Sequence, residues 1–207
     1  MEKGRGRKVR SDKKREVKPV LTIELKDAIY RLSYITYTPV KDVCEQLCAY
    51  VIFDKNAIEH LSQFFKRDVR LENTIYMGSI TNEAVNKRFK GSTSSVTVRF
   101  KQGLYDNIAG LSYALDCTPS RAVALTLEIG MCNMAYVNKY IKHYLNGQLS
   151  KTQMSELQLI LKYVNKNGEE HHTWMSLLGH IIDEVNVPIA RAKDAVSGFL
   201  TKIKDGD

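Results

Sequence analysis

The chain has 207 residues, of which 43% are hydrophobic and 26% charged, with a formal net charge of +8. That length allows one to three small cores, and that balance is ordinary for a water-soluble globular protein. The first residues are charged and lack an apolar run. The most apolar stretch, Ala122 to Val137, carries Thr126, Glu128 and Asn133. A secretory signal and a membrane span are therefore not expected, and the expected location is cytoplasmic.

The charge is concentrated at the start. Residues 1 to 18, "MEKGRGRKVRSDKKREVK", hold nine Lys and Arg against three acids, a net +6 of the total +8. This composition predicts a disordered basic arm. Its Arg5, Arg7, Lys8, Arg10, Lys13, Lys14 and Arg15 suit a polyanion, which such an arm attracts by releasing counterions.

After the arm, a first block is expected from residue 19 to 65, a connector from 66 to 94, and a second block from 95 to 146. A C-terminal helical domain should follow over 150–204. The two blocks read as tandem copies. "LTIELKDAIY" from Leu21 matches "VTVRFKQGLY" from Val96 at an offset of 75, whereas Thr38-Pro39 matches Thr118-Pro119 at an offset of 80. On that alignment the first copy is five residues shorter between strand and turn.

In the second block, Val96, Val98 and Phe100 alternate with Ser95, Thr97, Arg99 and Lys101. That alternation predicts a half-buried strand. A helix should follow, striped by Leu104, Ile108, Leu111 and Leu115. Thr118 then serves as an N-cap with Pro119 at the first helical position. The next helix, from Pro119 to about Met131, is apolar almost all round, so it must be buried on several sides. One module of this size cannot cover that helix or complete so short a strand. A dimer or higher homo-oligomer is therefore expected.

Strand, helix, capped turn and helix, as in Val96–Phe100 and Thr118-Pro119-Ser120-Arg121, resemble the ribbon-helix-helix family of DNA-binding proteins. The resemblance implies a mainly α fold with short ribbon strands, in which paired strands enter the major groove of double-stranded DNA. It implies base reading by Ser95, Thr97, Arg99 and Lys101, and phosphate contact by Thr118, Ser120 and Arg121. In the first copy the outward positions would be Val20, Thr22, Glu24 and Lys26. A second, weaker reader is expected there, using Thr22, Glu24, Lys26, Thr38 and Lys41.

The remaining polar clusters point to no chemistry. Cys44, Cys48, Cys117 and Cys132 form no CxxC pair, and His171, His172 and His180 lack ligand spacing, so no metal is expected. Phosphate-loop and hydrolase motifs are absent, so neither an enzyme nor a cofactor is expected. The resemblance implies a nucleoid-associated transcriptional regulator, most simply a repressor carried by a plasmid, phage or other mobile element. Two alternatives stand beside it. One is an accessory DNA-binding factor for conjugative transfer or partition, with a protein partner at the C-terminal domain. The other is an antitoxin-like interaction module.

Overall fold

The computed structural model describes residues 14–85, 91–145, 149–168 and 172. Among them it is mainly helical, with three short antiparallel strand pairs. In chain order these are β1 (Arg15–Val17), β2 (Val20–Thr22), α1 (Ile23–Thr36), α2 (Val40–Ile52), α3 (Lys55–Ser62), β3 (Val69–Leu71), β4 (Thr74–Tyr76), β5 (Thr93–Ser95), β6 (Val98–Phe100), α4 (Gln102–Ala114), α5 (Pro119–Cys132), α6 (Met134–Tyr144) and α7 (Lys151–Asn167).

A single offset of 79 residues relates the two copies, in place of the 75 and 80 expected from sequence. Helix α1 has 14 residues and α4 has 13, so neither is shortened. The difference lies at Ile23. The Thr22 hydroxyl accepts from the Leu25 amide at 3.2 Å and caps α1, so Ile23-Glu24-Leu25 turns into helix instead of continuing the strand. At the new offset Ile29 matches Ile108, Leu32 matches Leu111, and Cys48 matches Leu127; all six are buried.

The turns repeat as faithfully as the helices. Tyr37 and Asp116, 79 apart, both adopt φ 52°. Thr38 N donates to Ser33 O at 3.1 Å, and Cys117 N donates to Ser112 O at 3.0 Å. Tyr37 N reaches Tyr34 O and Asp116 N reaches Tyr113 O, so both first helices end in the same paired 6→1 and 5→2 bonds. The third helices repeat too. Asp54 caps α3 and Asn133 caps α6, again 79 apart.

The strands do not need a second chain. Strand β1 pairs with β6 (Arg15 opposite Phe100, Glu16 opposite Arg99, Val17 opposite Val98). Strand β2 pairs with β5 (Val20 opposite Ser95, Leu21 opposite Ser94, Thr22 opposite Thr93). The expectation that a partner chain supplies the missing strand is corrected: the first copy supplies it. Two boundaries move accordingly. Strand Arg15–Val17 falls inside the expected arm, and the strand pairing of the second block begins at Thr93.

The chain divides into two compact units, residues 1–27 with 39–130, and 28–38 with 131–207. In the first, α2 and α5 meet where Gly130 lies beside Leu47 and Val51. The expected connector also folds. Hairpin β3–β4 lies on α4, and Val69, Leu71 and Tyr76 join Ile58, Leu61, Phe65, Leu111, Ala114 and Leu115 in one apolar cluster.

In the second unit, α1 contributes buried Ile29, Leu32 and Ile35, and α6 and α7 contribute Val137, Ile141, Leu157 and Ile160. Polar bonds run through it. The Thr38 hydroxyl lies 2.6 Å from the Tyr140 hydroxyl, Gln153 Nε2 donates to Ile35 O at 2.9 Å, and Arg31 pairs with Glu156. Residue 150 therefore does not open a separate domain in the described chain, since α7 is bound to α1. The remainder of the expected C-terminal helical domain, from 173 to 204 with His180, lies outside the described residues, as does His171.

Candidate nucleic-acid interface

The paired strands have two unlike faces. Val17, Pro19 and Leu21 from one strand and Val96, Val98 and Phe100 from the other turn inward and are buried. Glu16, Lys18, Val20, Ser95, Thr97 and Arg99 turn outward and are exposed, with Lys101 beyond them. This is the alternation of a half-buried ribbon. Pro19 has no N–H to donate, so the ladder breaks into two pieces at the centre. Val96 N still donates to Pro19 O at 3.1 Å, which keeps one register across the gap and sets Lys18 opposite Thr97.

Among the outer residues, Glu16 joins Arg99 and Lys18, and Arg99 makes two bonds to it. Arg99 Nη2 and Nε donate to Glu16 Oε2 at 3.2 and 3.3 Å, and Lys18 Nζ sits 3.5 Å from Glu16 Oε1. Arg99 remains 62% and Glu16 41% exposed, so water and salt weaken the pair and a competing partner opens it at little cost. Two more cations are tied down at one end of the ribbon, where Arg15 faces Phe100. Lys14 Nζ donates to Glu45 Oε2 at 2.7 Å while Lys101 N donates to Glu45 Oε1 at 3.2 Å. Arg15 Nε donates to Gln102 Oε1 at 2.9 Å. Lys14 and Arg15 thus join the folded ribbon, and Arg5, Arg7, Lys8, Arg10 and Lys13 lie outside the described residues.

The expected reading row, Ser95, Thr97, Arg99 and Lys101, is therefore brought together on one exposed face. The expected phosphate contacts are otherwise engaged. Thr118 Oγ1 accepts from Arg121 N at 3.2 Å, as a helix cap, and Ser120 Oγ donates to Lys18 O at 2.6 Å, tying α5 to the ribbon. Arg121 is half-buried, and burial lowers its pKa against the opposing pull of Glu128 and Cys117. Burial raises the Glu128 carboxyl in turn, and Arg121 opposes that shift.

The residues expected of a second reader do not share a strand face. Thr22 is spent on capping α1, Glu24 stands in the first turn of that helix, and Lys26 Nζ donates to Ser94 Oγ at 2.9 Å. Thr38 is bonded to Tyr140, and Lys41 is exposed on α2. Of the expected outward positions Val20 does lie on the shared face, and Glu16 and Lys18, which were not expected, lie beside it. Sequence carried a signal for them, because Val17, Pro19 and Leu21 alternate with them. The charge of the arm and the proline masked it.

Cys44 and Cys48 are buried thiols, with Cys48 pushed up to about 12 by burial although its bond to Thr126 opposes the shift. No group of three or more possible metal ligands occurs among the described residues, and no described helix is long and apolar enough to cross a membrane. Comparison with protein-family models, curated proteins and solved structures gave no match.

Proposed function

We propose that the chain binds double-stranded DNA by laying the outer face of its intramolecular ribbon in the major groove, as a sequence-specific regulator with the repressor role its resemblance implies. The observation that carries this reading is the ribbon itself. Two strands distant in sequence pair so that Ser95, Thr97 and Arg99 stand beside Lys18 on one exposed surface. A groove about 12 Å wide admits a two-stranded ribbon. The basic residues 1–13 lead directly into the strand that carries Lys18, so in this reading phosphate attraction adjoins base reading.

One chain already holds both strands, so the DNA-binding unit in this reading is a single chain. An assembly of several chains is not needed to build it. Nucleoid association follows from the reading. A transfer or partition role, with a protein partner at the C-terminal segment, would use the same face.

The test is fluorescence anisotropy with a pool of duplex fragments over a salt series. The intact chain is expected to prefer a few fragments. Arg99→Ala is expected to lose about 1–3 kcal/mol of that preference. Removing residues 1–13 should flatten the salt dependence by about 0.9 in slope for each phosphate that the arm no longer neutralises. Equal, unselective binding by the parent and Arg99→Ala would leave the ribbon a device for joining the two copies, and the proposal would fall.

A further inference from the structure

The two ends of the ribbon's outer face carry different chemistry. Its centre is Lys18 opposite Thr97, and the 79-residue repeat relates one end to the other. Glu16 corresponds to Ser95, and Arg99 corresponds to Val20. One end therefore presents the cross-strand pair Glu16 and Arg99, a carboxylate beside a guanidinium. The equivalent cross-strand pair at the other end is Ser95 and Val20, a small hydroxyl beside a 47% exposed apolar side chain. The fold repeats across the ribbon and the reading surface does not.

These two ends match different base-pair edges. In the major groove a G·C pair shows two acceptors, guanine O6 and N7, next to the cytosine N4 donor. A guanidinium donates to the first two and an adjacent carboxylate accepts from the third. An A·T pair shows the thymine methyl, which packs against apolar side chains, and adenine N6 and N7, which a serine hydroxyl can meet. A two-fold symmetric protein selects a palindromic site because its halves are alike. This face has unlike halves.

We infer that the chain selects a DNA site without dyad symmetry, in which Glu16 and Arg99 together take a G·C pair in one half and Val20 with Ser95 takes an A·T pair in the other. The inference rests on the DNA-binding reading above and adds the class of site. Glu16 is on this account a specificity residue. It turns away from Arg99 to the cytosine amino group as the guanine edge replaces it.

The test is selection from a duplex library with a randomised central window, using the full chain and two symmetrised variants. Glu16→Ser with Arg99→Val gives both ends the Ser–Val pair, and Val20→Arg with Ser95→Glu gives both ends the Glu–Arg pair. The parent is expected to yield a consensus with G·C on one side only. Reversing that pair should weaken its binding about tenfold or more. Both variants should yield consensus sequences whose two flanks are related by dyad symmetry about the central step read by Lys18 and Thr97, with G·C on both sides for the second. All substituted positions are exposed, so unchanged circular dichroism is expected to accompany the change.

A palindromic consensus for the parent, or an unchanged consensus in the symmetrised chains, overturns the inference while leaving DNA binding in place. Retention of duplex with no consensus in any chain sinks the inference together with sequence-specific reading. If no chain retains duplex even at low salt, the proposed function itself fails and the inference goes with it.

Discussion

Helices α1 and α4 are the same element of the repeat, yet the side chains that cover them differ in kind. Over α4 the cover is apolar: Ile58 and Leu61 of α3, and the hairpin residues Val69, Leu71 and Tyr76, gather around Leu111 and Leu115, with Phe65 and Tyr76 ring edge to face at 6.2 Å. At α1 the cover includes a run of polar bonds, Thr38 to Tyr140, Gln153 to Ile35, and Arg31 to Glu156. An apolar cover is forgiving of exact geometry because burial is non-directional. A polar cover inside a core tolerates no missing partner. The repeat thus fixes the frame of strands, turns and helices, α3 and α6 included, and the two copies diverge in the side chains of that cover and in what was added to it.

The sharpest way to probe the contrast is to empty equivalent positions. Leu111→Ala and Leu32→Ala remove fully buried side chains 79 residues apart, and each is expected to cost about 2–5 kcal/mol by urea denaturation. A much smaller cost at Leu32 would show that α1 is covered loosely. Next in size is Gly78, where an added Cβ would lie 2.5 Å from the Arg67 backbone. Gly78→Ala should displace the segment after the hairpin and lose about 1–3 kcal/mol of stability. The apolar cover should take that whole loss, visible as faster amide exchange in Val69–Leu71.

Polar substitutions probe the other side. Tyr140→Phe leaves the Thr38 hydroxyl without that partner and is expected to cost about 1 kcal/mol. Combining it with Thr38→Val should cost less than the two single changes added together, which a double-mutant cycle measures. Smallest of all is the exposed ion pair. Glu16→Ala should change stability by no more than about 0.5 kcal/mol in thermal unfolding. The selected DNA sequence is where that residue is expected to register.

The second copy was legible in sequence because its local signals agree. Thr118-Pro119 marks a helix start, Ile108, Leu111 and Leu115 stripe one face, and Val96 to Phe100 alternates cleanly. In the first copy the signals compete. Leu21-Thr22-Ile23-Glu24-Leu25 alternates like a strand, yet Leu25, Ile29 and Leu32 also hold helical spacing, and the Thr22 cap decides for the helix. That slip set the outward row of the first copy at Val20, Thr22, Glu24 and Lys26, where the strand presents Glu16, Lys18 and Val20.

The hairpin at 69–76 was missed because its turn places Glu72, at φ 54°, where glycine or asparagine gives the usual sign. The pairing of β1 with β6 and of β2 with β5 had no local signal, since nothing near a strand names a partner more than seventy residues away.

That separation also orders events during synthesis. The strand Arg15–Thr22 leaves the ribosome first and finds its mate last, after residues 93–100 have been made. Throughout that wait it is an unpaired edge carrying Val17, Leu21 and an exposed Val20, the kind of segment on which neighbouring nascent chains could nucleate aggregates. Pro19 denies such an intruder a continuous ladder, and Lys14, Arg15, Glu16 and Lys18 keep the edge solvated until its mate arrives. The residue that breaks the finished ribbon in two is thereby also its guard while it is still unfinished.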